Sequence, residues 1–141
     1  MLNPSLKSAS TWDATERITI ATNGTLLCRA TNVTALVAEA WQGTGVTITS
    51  ATLRVEVGGL ITANGQGYAG TVTNGCGPGG GTGTRADITG GGGGGAHGGN
   101  GGLPQSPYAG GFPYGSLAQP GMLGSAGGAG YAANGAAGGG A

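Results

Sequence analysis

The stretch Gly90–Gly102, which reads GGGGGGAHGGNGG, decides what kind of protein this is. Glycine loses more backbone entropy on folding than any other residue, so such a run becomes ordered only when its N–H and C=O groups find partners. Polyproline-II-type strands turn those groups outward toward neighbouring strands. We therefore expect an ordered region of polyproline-II or polyglycine-II-type strands, with straight pieces at 77–83, 90–95, 98–102 and 124–140.

The composition around this stretch divides the chain in two. Of the 36 glycines, 27 lie at 76–141, and every charged residue except Arg85 and Asp87 precedes residue 76. Flexible linkers are rich in serine, whereas the glycine-rich part has few serines and several aromatic and aliphatic residues. We predict an extended N-terminal arm at 1–16, a β domain at 17–75 and a glycine-rich region at 76–141.

Short alternating apolar runs predict the strands of the β domain. Asn23-Gly24 is a hairpin signal, which predicts strands at 17–22 and 25–30 that pair with each other. Further strands are expected at 33–41, apolar on both faces, at 46–49, at 52–57 with Leu53, Val55 and Val57 pointing inward, and at 60–63. Turn signals at this spacing predict an all-β fold, either a β-sandwich or a β-solenoid, with essentially no α-helix.

The motifs that resemble catalytic or cofactor sites lack their structural context. Gly65–Gly70, GQGYAG, matches a dinucleotide-binding pattern, but residues 71–75 cannot open the helix that would bind the phosphates. His97 is the only histidine and has no cysteine or carboxylate near it in sequence, so it should pack on an aromatic ring. We predict no enzyme, no catalytic, cofactor-binding or metal residues, and no cofactor.

Charge and hydropathy limit the classes of partner that this chain is expected to bind. A net charge of zero gives no electrostatic footprint for nucleic acid, and no apolar run approaches the ~20 residues of a membrane span. Cys28 and Cys76 are compatible with one disulfide or with two free thiols. The aromatic residues are candidate anchors for the core or for assembly, or surfaces that stack on a sugar or a partner: Trp12, Trp41, Tyr68, Tyr108, Phe112 and Tyr114.

The phrase Leu60–Tyr68, LITANGQGY, resembles a glycine-rich module of large secreted and surface proteins of bacteria and archaea. In that module β-helix-like strands lead into a polyglycine-rich insertion, as GPGGG at Gly77–Gly81, the Gly90–Gly102 run and YGSL at Tyr114–Leu117 do here. The resemblance covers about 52–141. It implies an extracellular or cell-surface location and a structural or adhesive role, and in such proteins another strand follows the position of Ala141.

Together these observations predict a structural subunit that self-assembles into an extracellular filament or sheath. Strand-edge complementation between copies, with the 1–16 arm as candidate donor, and glycine-rich packing would hold the copies together. The alternative is an adhesin or phage-fibre-type module that displays loops at 103–114 to a surface receptor or glycan. An ice-binding protein is a third hypothesis, which the lack of a regular triplet repeat disfavours.

Overall fold

The computed structural model describes residues 11–83, 91–104, 107–116, 118–119 and 121–130. Within these residues the protein contains β-strands and no helix. The all-β prediction is therefore confirmed for the described part of the chain. The remainder of the predicted arm, at 1–10, and parts of the predicted glycine strands lie outside the described residues. The strands are β1 (Thr11–Ile20), β2 (Thr25–Leu27), β3 (Thr47–Val55) and β4 (Leu60–Thr62).

The strands pair in parallel, two by two. Strand β1 pairs with β3, with Ile20 beside Val55, and β2 pairs with β4, with Thr25 beside Leu60. The offset is 35 residues at both pairs (20 to 55 and 25 to 60), so one strand–turn–strand unit lies beside another. We call 11–27 unit 1 and 47–62 unit 2. The register shifts once, between Ala14 and Arg17.

The turn predicted at Asn23-Gly24 exists, but the predicted hairpin is wrong. Asn23 has φ 58°, and the N–H of Gly24 donates to the carbonyl of Ala21 at 2.8 Å. A positive φ at the third position is typical of a type II turn, which splays the flanking strands instead of pairing them. Unit 2 repeats the turn, with Gly58 at φ 70°. Each strand therefore pairs with the other unit.

Residues 33–41 do not form the predicted buried strand. They belong to an excursion between the units, closed by antiparallel bridges between Thr31 and Thr44 and between Val37 and Ala40. Its tip is Ala38-Glu39, both with positive φ, and Val37 is 39% exposed. Apolar alternation gave the wrong answer because no described strand covers this segment.

Three further predictions need correction. Residues 11–16 are not a free arm, because they belong to β1 and pair with β3. The strands predicted at 46–49 and 52–57 are one strand, β3. Leu53, Val55 and Val57 do not point into a core, since they are 46%, 46% and 86% exposed. No other described layer packs over them, so a regular polar–apolar alternation did not imply burial.

The hydrophobic core lies where the excursion and the segment that follows β4 meet the glycine-rich region. Its buried members are Tyr68, Cys76 and Leu123, and the partly buried side chains packed against them are Ala30, Val33 and Trp41. The boundary predicted near residue 75 marks a change of composition, and the core crosses it.

Candidate functional site

Tyr68 is a predicted anchor residue that is almost fully buried, with 1% of its surface exposed. Its ring meets the edge of Trp41 at a centroid distance of 5.4 Å, and the N–H of Gly43 donates to its hydroxyl at 2.8 Å. Gly43 must lack a side chain, because a Cβ there would lie 2.7 Å from the Tyr68 ring. Tyr68 thus holds the end of the excursion against the core.

Backbone hydrogen bonds attach the glycine-rich region to the segment that follows β4 at the same place. The N–H of Tyr68 donates to Gly124 at 2.9 Å, and that of Cys76 donates to Ala69 at 3.0 Å. Cys28 and Cys76 are both free thiols in this structure. Burial raises the pKa of the Cys76 thiol, which keeps it protonated and unreactive at neutral pH.

A second aromatic site lies within the glycine-rich region. His97 meets the Tyr114 ring edge-on at 5.0 Å, which is the aromatic contact expected for His97. The Tyr114 hydroxyl donates to the carbonyl of Leu123 and accepts from Ser125 Oγ at 2.9 Å. Ser125 Oγ in turn accepts from the N–H of Gly79 at 2.9 Å. Desolvation by burial raises the pKa of Tyr114, so the hydroxyl serves as a structural donor.

Segment 91–97 is the centre of the backbone network in the glycine-rich region. Gly93 donates to Thr82 at 2.8 Å, and Ala96, three residues on, donates to Gly79 at 2.9 Å. The same segment bonds to segments on its other sides through Gly94→Gly102, Gly111→Gly94, Gly128→Gly93 and Ser125→Ala96. Hydrogen bonds from this segment to one neighbouring segment therefore recur at every third residue. A β-ladder does not have this spacing, because its hydrogen bonds to one neighbour come from every second residue.

The glycines of this network are required because neighbouring backbones occupy the space of a side chain. A Cβ built on Gly93 would meet the carbonyl oxygen of Ala109, and one on Gly111 would meet that of Gly79, both well inside 3.0 Å. By contrast, a Cβ on Gly102 meets nothing within 4 Å. The described interior is therefore packed backbone against backbone, and open space is found only at its rim.

The remaining predicted anchors are Phe112, Tyr108 and Trp12. Phe112 is 81% exposed. Leu103, which lies in the same predicted loop region at 103–114, is 86% exposed. Tyr108 is half-buried. Trp12 lies in β1, where its backbone pairs with Ile48. The predicted anchor set therefore divides into core residues (Trp41 and Tyr68), a residue of the second aromatic site (Tyr114), an exposed residue (Phe112), the half-buried Tyr108 and a strand position (Trp12).

The outer edges of both ladders are the other surface of interest. Each ladder has only two strands in the described part of the chain. The N–H of Glu56 donates to Ile20 at 2.9 Å. Because alternate residues of a strand face opposite edges, the N–H and C=O of the preceding residue, Val55, face away from β1. The side chains of Leu53 and Val55 in β3 and of Leu60 in β4 are about half exposed.

Two features of these surfaces were missed from the sequence. The 35-residue repeat has a signal, the spacing between Asn23-Gly24 and Gly58-Gly59, that an internal comparison of the sequence would find. The antiparallel excursion at 31–44 has none, because its tip carries Ala38 and Glu39 where turn rules place asparagine and glycine.

The described residues contain neither a metal-binding cluster nor a membrane-spanning helix. Across the described residues, no group of three His, Cys, Asp or Glu side chains could hold a metal ion. Nor does that part of the chain contain a helix of the length and apolarity that crossing a bilayer requires.

No protein-family model, curated protein or solved structure matches the chain. The resemblance of 52–141 to a glycine-rich surface module stays a prediction.

Proposed function

We propose that this chain is a non-enzymatic structural subunit that self-assembles into an extracellular or cell-surface filament or sheath. The observation that carries the proposal is the pair of parallel two-stranded ladders whose outer edges have no partner among the described residues. An unpaired strand edge is a template for another chain. An isolated two-stranded sheet is also marginally stable in water, so added strands would stabilise this one.

The architecture that best supports this role is a short β-solenoid. The two units lie in parallel with one offset, and their turns share the same geometry at Asn23 and Gly58. A sandwich would instead need two sheets packed face to face, and the exposure of Leu53 and Val55 argues against that. A two-unit solenoid has open ends, and open ends favour association.

We interpret the glycine-rich region as a bundle of polyglycine-II-type strands. A helix with three residues per turn presents hydrogen-bonding groups to a given neighbour every third residue, which is the spacing at Gly93 and Ala96. The glycine-rich region contains very few charged residues. It would act as rigid, protease-resistant material beside the solenoid.

The experiment that tests self-assembly is negative-stain microscopy combined with size-exclusion chromatography over a range of micromolar concentrations. We expect concentration-dependent growth into extended particles. A protein that elutes as a monomer at every concentration and shows no particles would overturn the proposal. A single closed oligomer of fixed size would favour the alternative function below.

The alternative is an adhesin-type module that binds a surface receptor or glycan. The exposure of Leu103 (86%) and Phe112 (81%) on the glycine-rich region favours it, because exposed apolar side chains held on a rigid support are typical of binding surfaces. Replacing both with Ala should abolish binding to cells without changing assembly. Tyr114 is unsuitable for this test because its hydroxyl bonds inside the bundle.

A further inference from the structure

We propose that copies join head to tail, with the outer edge of unit 2 pairing in parallel with the outer edge of unit 1 of the next copy. In this register Leu53 lies beside Ile18 of the next copy and Val55 beside its Ile20. The inference rests on the self-assembly proposed above and specifies which surfaces meet. The occupant of the open edge of unit 2 is thus a second copy of this chain.

The backbone groups of the two edges are complementary. Within the chain, Ile20 turns its carbonyl toward β3 and accepts from Glu56, so the neighbouring residue of β1, Thr19, faces the outer edge. The N–H of Val55 would donate to the carbonyl of Thr19 of the next copy, just as Glu56 donates to Ile20. The contact between copies continues the ladder that already joins the two units.

The apolar side chains fix the register. Ile18 pairs with Leu53 and Ile20 with Val55 inside the chain, and Leu53 and Val55 are still 46% exposed. A next copy in the proposed register would extend both apolar columns. A slip of one residue would place Arg17 and Thr19 on the apolar face, because side chains alternate between faces with a period of two.

The turns favour the same order of units. A Cβ on Gly58 would meet Asn23 Oδ1 of the neighbouring turn. The turn of unit 1, with Asn23 at its third position, therefore lies against the turn of unit 2, with Gly58 at that position. Head-to-tail joining repeats this alternation, with Gly58 lying between Asn23 of its own chain and Asn23 of the next copy. The contact uses different surfaces on the two copies, and such an interface produces open filaments when its rotation does not close.

This arrangement predicts a polar filament with two strand layers per copy. With parallel strands spaced about 4.8 Å apart, the axial rise is about 10 Å per copy. Fibre diffraction of aligned filaments should then show a spacing near 4.8 Å along the axis. A filament without this reflection would overturn the proposal.

Cysteine cross-linking tests the pairing of edges. Thr19 and Arg54 are exposed and face each other within the chain, so a chain carrying only Thr19→Cys or only Arg54→Cys cannot form that bond internally. The two variants, tagged differently, are mixed, assembled, oxidised and analysed by peptide mapping. We expect disulfides between position 19 of one copy and position 54 of another, with wild-type protein as the control.

The outcomes separate this inference from the proposed function. Wild-type chains that stay monomeric overturn the proposed function. Wild-type chains that assemble while the variants cross-link only 19 to 19, only 54 to 54, or not at all overturn the head-to-tail register and leave self-assembly standing.

A second variant tests the same contact without new thiols. Val55→Pro removes the outward N–H and spares the inward donor of Glu56, and proline is tolerated on strands whose N–H faces solvent. We expect a monomer that unfolds at the wild-type temperature but does not elongate. Elongation at the wild-type rate by this folded variant would overturn the proposal.

Discussion

The β units and the glycine-rich region differ in how they use glycine and positive φ. In the β units and their excursion, left-handed backbone is adopted by Gly58 and also by four non-glycine residues: Asn23, Asn32, Ala38 and Glu39. In the described part of the glycine-rich region, only Gly77 and Gly115 have positive φ. Most of its glycines therefore serve to let backbones approach, and their freedom to adopt unusual φ is not used.

This difference shows what stabilises each region. The β units depend on side chains that align across parallel strands, as Ile18 and Leu53 do. The glycine-rich interior depends on the absence of side chains, because carbonyl oxygens such as that of Ala109 occupy the space of a Cβ. Substitutions should therefore have effects that depend on the region and on the room at each position.

Tyr68→Ala should have the largest effect, because this side chain packs between the excursion and the glycine-rich region. Removing a buried aromatic side chain costs about 3–5 kcal/mol of unfolding free energy, and we expect the β units and the glycine-rich region to unfold together. Urea unfolding of the monomer measures the loss. Phe112→Ala, at an 81% exposed position, is the control and should change stability by less than about 0.5 kcal/mol. Equal losses would contradict the placement of the core.

Gly93→Ala should destabilise the glycine-rich region alone. The added methyl group meets the carbonyl of Ala109, and overpacking of this kind costs about 1–3 kcal/mol. Gly102→Ala is the matched control, because its Cβ meets nothing within 4 Å. Hydrogen exchange should show faster exchange at 91–97 in the first variant only. Equal tolerance of both substitutions would show that the region is not packed backbone against backbone.

Tyr114→Phe should have a smaller effect that depends on pH. The hydroxyl bonds to Leu123 and Ser125, and losing a typical hydrogen bond costs about 1 kcal/mol. Because the pKa of Tyr114 is raised in the folded protein, its contribution is fully present below the unfolded pKa of about 10 and is lost as pH rises through the folded value. Unfolding at pH 7 to 11 should show a shallower alkaline decline in the variant, and an unchanged slope would contradict the burial of this hydroxyl.

Glu39→Gly should give the smallest effect and the opposite sign. Glu39 has φ 62° at the tip of the excursion, where glycine adopts left-handed backbone without the cost of a Cβ. We expect a gain of about 0.5–1 kcal/mol, seen as a higher melting temperature. Ala40→Gly, next in the chain and without a positive φ, should lower it instead. A loss at both positions would show that the tip does not have the described turn.

The sequence predicted the elements whose signals are local. The turn at Asn23, the strand at 60–62 and the aromatic contact of His97 each follow from a few adjacent residues or from composition. It did not predict which strands pair, because Asn23-Gly24 fits a hairpin and a type II turn equally well from sequence. The sequence also predicted the wrong burial for Val57. The alternation of polar and apolar residues around Val57 is the same whether or not another layer of the protein covers this side chain.

By itself, the sequence determined the composition of this protein: a chain that is all-β in its described part, with a glycine-rich half that has almost no charge. Backbone preferences and composition suffice for that, since they act within a few residues. Only the tertiary structure decided that unit 2 lies parallel to unit 1, that Tyr68 joins the two halves, and that Gly93 must be glycine while Gly102 need not be. These properties depend on atoms distant in sequence that occupy the same space.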